Sequence, residues 1–393
     1  MAKTAAISYP EELAASLELS DEQVHRVSNQ QPCRDLMMHL RRCLTLFPTA
    51  FAVSLVWLGC QGSSADWPSA ESEHAVPSVV FALDWAATPD YAPFLIAHEE
   101  GFDRRHGVNI KIVEGNGAPN NAILISNGTY PIGTCSGFAT VIGASQGLQI
   151  VSVAAILQTS PVVVFSLPQA GIEEPSDLRG KRIGVRYGSE EFYQFRALLR
   201  KYGIRPGDVR EVAVDASPQA LLTGDLDAVT GYRQNQPAQL RAQGVALDEF
   251  EVADFGIDPY GTNVIANRQF LEQHPETIRR VLAAVSDAWA YVRGSSQEAA
   301  KKYLEMHADT DGEFFARSLR ATLALSAAPA DRPFGFQARG RWAETADLLK
   351  VLDLISNEPA PETLFTNDFL PASVRPDLQE PGGQRGIRRA STP

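Results

Sequence analysis

From Val79 the chain alternates short apolar β-type runs with helical runs, and it does so twice in the same order. The first round reads SVVFAL (78–83), APFLIAHEEGF (92–102), VNIKIVEG (108–115), NNAILISNG (120–128), YPIGTC (130–135), SGFATVIGASQG (136–147) and LQIVSVAAIL (148–157). The second reads KRIGVRY (181–187), SEEFYQFRALLRKYG (189–203), VREVAVD (209–215), SPQALLTG (217–224, with Ser217 as N-cap) and DAVTGY (227–232), followed by QNQPAQLRAQG. Period-two runs predict strands, and runs closed by Gly or Asn-Gly predict helices. NAILISNGTYPIGTCSG aligns with QALLTGDLDAVTGY, and in both halves the first strand ends about 25 residues before the second, Leu83 to Val108 and Val185 to Val209. Such βαβ order implies an α/β chain of parallel sheets with helices on both faces. Two similar halves imply two lobes.

In open α/β sheets a ligand sits beyond the carboxyl ends of the strands. Four turns occupy that position: Asp84-Trp85, Cys135-Ser136-Gly137, Gly188-Ser189-Glu190-Glu191 and Tyr232-Arg233-Gln234-Asn235. If the lobes face each other, all four line one cleft. The chain is expected to cross between lobes at 158–166 and at 258–270, and then turns helical over 274–294, 295–307, 311–327 and 339–355. The expected division is one lobe from 78–163 plus 260–371, a second from 164–259, and a disordered tail over 372–393, which has no periodic apolar face.

The segment before the first strand has a different character. MMHLRRCLTLFPTAFAVSLVWLGC (37–60) has Arg41 and Arg42, then an apolar run, then Gly59-Cys60 and a polar tract. This is the pattern of a secretory signal peptide. It predicts a start at Met37 or Met38, a non-native extension over 1–36, a signal over 37–59 and a linker over 60–77. A net charge of -12 on 393 residues excludes a basic nucleic-acid face. The four cysteines, Cys33, Cys43, Cys60 and Cys135, form no CxxC pair, and no paired-His motif suggests a metal. No metal and no cofactor are expected.

The blocks ALDWAATPDYAPFLIAHEEGF, AAILQTSPVVVFSLPQAGIEEPSDLRGKRIGV, ALLTGDLDAVTGYRQNQPAQL, DFGIDPYGTNVIANRQFLEQHPETIRRVL and LFTNDFLPA resemble the solute-binding proteins for thiamine pyrimidine precursors. The resemblance runs over about residues 79–371 and extends to the alkanesulfonate, taurine and nitrate binders. It implies a type II periplasmic-binding-protein fold that closes two α/β lobes over a small molecule and delivers it to an ABC permease. A separate ATPase would drive transport, since this chain has no P-loop. Gly59-Cys60 resembles a lipobox, with Trp57 standing where that motif prefers Leu. It implies acylation of Cys60 and an extracytoplasmic, membrane-tethered protein.

Within this frame Trp85 is the candidate stacking ring and Asp84 an acceptor for N–H donors, with Tyr91, Tyr232 and Tyr260 adding stacking or hydroxyl contacts. Ser136 and Glu190 stand at two of the turns, with Glu191 beside the latter. A carboxylate there suits an aminopyrimidine and repels an oxyanion, while Arg186 and Arg233 could offset it. Asn235 and Asn263 are candidate amide readers, each equally suited to stabilising a turn. Gln158 and Ser160 lie at a crossing and serve either as hinge or as ligand contact. The leading expectation is a carrier of a small nitrogen heterocycle; the alternatives are an alkanesulfonate, taurine or nitrate binder, a pyrimidine-biosynthesis enzyme and a cysteine hydrolase. Gly133-Thr134-Cys135-Ser136-Gly137 imitates the G-x-C-x-G nucleophile elbow. Related eukaryotic proteins that make the pyrimidine carry a cysteine-rich motif here, whereas TCSGFA has one Cys. Binding without catalysis is therefore expected.

Overall fold

A computed structural model describes residues 76–215, 218–327 and 332–371. The predicted signal peptide, Cys60, most of the linker, Ser217 and the tail lie outside the described residues. No helix among the described residues is long and apolar enough to cross a membrane.

Two sheets form the frame. The first contains β1 (Ser78–Ala82), β2 (Asn109–Val113), β3 (Ile132–Ser136), β4 (Ile150–Ala155) and β10 (Thr262–Asn267) in the order β2-β1-β3-β10-β4. The second contains β5 (Val162–Ser166), β6 (Arg182–Val185), β7 (Arg210–Ala213), β8 (Ala228–Tyr232) and β9 (Asp248–Glu251) in the order β7-β6-β8-β5-β9. The two orders are the same pattern, with β5 standing in the second sheet where β10 stands in the first.

The expectation of wholly parallel sheets is corrected here. β1 is parallel to β2 and β3, and β6 is parallel to β7 and β8. By contrast β10 runs antiparallel to β3 and β4, and β5 antiparallel to β8 and β9. The physical reason is the route of the chain. Each crossing segment enters its new sheet from the cleft side, so its strand runs against those built by βαβ units. Each segment expected as a crossing thus contains a strand, β5 within 158–166 and β10 within 258–270.

The helices are α1 (Ala92–Glu99), α2 (Phe102–Arg105), α3 (Ala118–Ser126), α4 (Gly137–Ser145), α5 (Glu190–Lys201), α6 (Gln219–Leu222) and α7 (Gln236–Ala242), then α8 (Arg268–Gln273), α9 (Pro275–Gly294), α10 (Ser296–Met306), α11 (Gly312–Leu325), α12 (Arg339–Val351) and α13 (Pro361–Leu364). Gly101, in the left-handed region at φ 68°, ends the run predicted as one helix over 92–102 and separates α1 from α2.

One apolar core packs Phe81, Phe94 and Ile96 against Ile278, Val285 and Trp289 of α9. A second joins Phe138 and Val141 of α4 to Phe192 and Phe195 of α5, and closes over them with Trp342 and Leu349 of α12. This second core takes residues from helices that flank both sheets. The two crossings touch: the Gly261 N–H donates to the Leu157 carbonyl at 3.0 Å. Asp258 ties them together, its Oδ1 accepting from Thr159 Oγ1 at 2.5 Å and from the Ser160 N–H at 2.9 Å. Arg341 of α12 pairs with the same carboxylate.

Candidate functional site

The carboxyl ends of β1, β3, β6 and β8 open into one cleft of ≈ 1190 Å³ between the sheets. Asp84, Trp85 and Tyr91 line it after β1, Ser136 at the end of β3, Arg186 and Glu190 after β6, and Tyr232, Gln234 and Asn235 at and beyond the end of β8. Asp90 joins from the turn before α1 and Phe314 from α11. The cleft is where it is because strand ends, not strand faces, leave backbone and polar side chains uncovered.

Each side chain is held by the element beneath it. Ser136 is the N-cap of α4 and accepts from the Ala139 N–H at 3.1 Å. The helix begins hard against the second crossing: the Gly137 N–H donates to the Tyr260 carbonyl at 3.0 Å, and a Cβ on Gly137 would lie 2.6 Å from that oxygen. Gly188 turns the chain after β6 with φ 79°. Ser189 then caps α5 by accepting from the Phe192 N–H, which sets Glu190 and Glu191 in the first helical turn. Asp84 receives the Tyr91 hydroxyl at 2.8 Å and the Thr134 hydroxyl, so Tyr91 serves as a brace for the carboxylate.

The electrostatics are acidic. Asp84, Asp90 and Glu190 all line the cleft, and burial raises each of their pKa values, Glu190 to about 8. Hydrogen bonds from Thr134 and Tyr91 to Asp84, and from Gln194 to Glu190, act in the opposite direction but do not win. Among the described lining residues Arg186 is the one Lys or Arg. Its guanidinium lies 4.4 Å from the centre of the Trp85 ring and pairs with Glu191 at 3.0 Å, so its charge is largely met within the protein. Four buried acceptor atoms in the lining have no hydrogen-bond partner within the protein: Glu211 Oε1, which is ion-paired with Arg196, and Asp90 Oδ1, Gln234 Oε1 and Asn235 Oδ1. One buried donor, Arg186 Nε, is likewise unpartnered. The lobes meet across the cleft through Gln234 Nε2 and Asp90 Oδ2 at 3.4 Å.

Seven of the ten residues expected to bind ligand are brought together here: Asp84, Trp85, Tyr91, Ser136, Glu190, Tyr232 and Asn235. Three are not. Gln158 is turned into the crossing, where its amide donates to the Ala155 and Phe336 carbonyls. Tyr260 is packed against Trp342 with its hydroxyl accepting from the Ala338 N–H. Asn263 is fully buried on β10 between Cys135 and Ala155, donating to the Gly261 carbonyl. Arg233 also stays out of the cleft, paired with Glu251 and Glu249. Asp90 and Phe314 were not expected as site residues, and Gln234 was expected only as part of its turn; proximity of Asp90 to Asp84-Trp85 was the available signal for the first. Cys135 is fully buried with its Sγ against the Ala118 carbonyl, and burial pushes its thiol well up, so it does not present a nucleophile to the cleft.

A family model described as NMT1/THI5 like matches residues 88–299. The chain belongs to the NMT1/THI5-like family. Its curated relatives include a riboflavin-binding protein, RibY, of Chloroflexus aurantiacus, 24% identical over 77% of this chain and 89% of that one. They also include the 4-amino-5-hydroxymethyl-2-methylpyrimidine phosphate synthase of Schizosaccharomyces pombe, 23% identical over 78% of this chain and 90% of its own. Among solved structures, the alkanesulfonate-binding protein SsuA of Xanthomonas axonopodis bound to MOPS superposes with a TM-score of 0.59 at 15% identity, covering 74% of this chain and 99% of that one. The periplasmic aliphatic sulphonate-binding protein of Escherichia coli gives 0.59 at 17%, covering 80% and 97%. The fold is therefore the two-lobed periplasmic-binding-protein fold.

The NMT1/THI5-like relatives also correct an expectation. Binding without catalysis was inferred from the single cysteine of TCSGFA. Several relatives that span most of this chain are named as synthases, so enzymes occur in this family.

Proposed function

We propose that the cleft captures a small, planar, N–H-rich nitrogen heterocycle of the aminopyrimidine type. The observation that carries this reading is the excess of buried acceptors. Asp90 Oδ1, Gln234 Oε1 and Asn235 Oδ1 need donors, and burying them unpaired costs about 1–3 kcal/mol each. An aminopyrimidine supplies donors and a flat ring for Trp85 and Tyr232. A sulfonate or nitrate supplies only acceptors and would meet Asp84, Asp90 and Glu190 with one partly neutralised arginine. In this reading the protein is exported, held by a lipid on Cys60, and hands its ligand to an ABC permease and its ATPase. The signal-like segment 37–60 supports export.

A second reading keeps the same ring and makes the cleft a catalyst. The names of the relatives favour it over the importer: synthases from several fungi match this chain along most of their length. One experiment addresses both. The purified protein is titrated calorimetrically with hydroxymethylpyrimidine, formylaminopyrimidine, riboflavin, taurine and nitrate, and the bound fraction is recovered for mass analysis. A heterocycle bound and returned unchanged fits a carrier, and a heterocycle formed or altered fits a synthase. Taurine or nitrate bound with every heterocycle ignored would overturn both.

A further inference from the structure

Gln194 lies on α5, one turn beyond Glu190, fully buried and outside the cleft lining. It makes two hydrogen bonds that fix its amide. Its Nε2 donates to Glu190 Oε1 at 2.8 Å, and its Oε1 accepts from Ser160 Oγ at 2.7 Å. Ser160 is 1% exposed and sits at the first crossing. Its Oγ accepts from the Val162 N–H at 3.2 Å, so its single hydroxyl proton is directed to Gln194. Its own N–H is anchored on Asp258 of the second crossing. A continuous buried chain thus runs from the crossings, through Ser160 and Gln194, to the cleft.

The consequence is chemical. With Ser160 holding the amide oxygen, the NH₂ of Gln194 must face Glu190, and Glu190 Oε1 must accept. The proton of a neutral Glu190 then belongs on the other oxygen. We propose that Gln194, oriented by Ser160, is a positioning residue that fixes the proton-bearing oxygen of Glu190. It thereby sets whether this carboxyl group donates to an unprotonated ring nitrogen or accepts from a protonated one; this last step rests on the heterocycle reading. Neither Gln194 nor Ser160 lines the cleft.

The titratable groups close enough to act electrostatically on Glu190 are Asp84 from the end of β1, Glu191 on its own helix, Tyr232 at the end of β8 and Cys135, whose sulfur is turned toward the Ala118 carbonyl. The Arg186 charge beyond them is paired with Glu191. In this set the Gln194 amide is a neutral donor that favours the ionised form of Glu190.

The test uses the whole protein without ligand, labelled with ¹³C at glutamate Cδ. The Glu190 resonance is identified by its loss in E190Q and followed against pH. In Gln194→Met the donor is lost, and in Ser160→Ala the amide is free to turn its oxygen toward Glu190. Both should raise the Glu190 midpoint, by about half a pH unit or more, while Ser160→Thr, which keeps the hydroxyl, should leave it in place. Folded Q194M and S160A proteins with an unmoved midpoint would overturn the proposal, as would S160T shifting as far as S160A. A calorimetric arm measures hydroxymethylpyrimidine affinity across the same pH range, and the affinity should change at the midpoint seen by NMR. Failure of the heterocycle to bind while the NMR shifts hold would sink the ligand reading and leave the relay standing.

Discussion

Glu190 carries an ionisable group into a place where water is scarce, and its folded-state pKa of about 8 has a consequence for stability. Between the ordinary carboxyl value of 4.5 and about 8, the folded protein holds a proton there that the unfolded chain has released. Stability therefore falls as pH rises through that window and levels above it, by at most about 1.4 kcal/mol for each pH unit. Glu190→Gln stays neutral throughout. Urea melts of the two proteins should diverge from about pH 4.5 and reach a constant gap, in favour of the variant, above pH 8; parallel curves would contradict the assignment. The Trp85 ring leads to a second expectation. Replacing it with Ala removes a stacking surface worth about 0.5–1.5 kcal/mol, so heterocycle affinity should drop up to about tenfold with little change in melting temperature, because Trp85 is only half-buried.

Among the elements, α12 has the largest influence for its position. Trp342 on it is fully buried, lies 5.5 Å from Tyr260 at the second crossing and stacks on Phe365 at 6.2 Å. It closes a core to which helices flanking both sheets contribute. Trp342→Ala should cost about 3–5 kcal/mol, read from denaturant unfolding, and should loosen the approach of the two lobes, read as an increase in the radius of gyration by solution scattering. Much of this layout was legible from the chain. Runs such as VNIKIVEG and SEEFYQFRALLRKYG carry their own periodicity and stops, and the rule that ligands meet strand ends pointed to Asp84, Ser136, Glu190 and Tyr232. The antiparallel strands were not legible, because VVVFS and TNVIAN read equally well as connectors when nothing in the sequence says which neighbour they pair with. Asn263 went to the core for the same reason: on β10 it lies between Cys135 of β3 and Ala155 of β4, fully buried, while Tyr260 just before the strand packs on Trp342. The Gln234–Asp90 contact and the Ser160–Gln194 pair depend on distant segments meeting, which spacing along one helix cannot show.

At the scale of the molecule, the strand order that builds the two sheets also sets a timetable. The second sheet is made from one uninterrupted stretch, Val162 to Glu251, whereas β3 and β4 of the first are separated by β10, which begins only at Thr262. A chain emerging from a ribosome can therefore complete its later-numbered sheet while the earlier one still lacks its middle. Pairing that must wait for distant sequence is slow because loop closure precedes any reward. Pulsed hydrogen exchange during refolding should show amides of 162–251 protected before those of β3 and β4, and a chain ended at residue 259 should protect only the former. The reverse order would show that the first lobe closes around some other partner until β10 arrives. The amino-terminal half thus stays an unfinished surface until β10 has been made, a long interval in which its open edge must be kept from pairing wrongly.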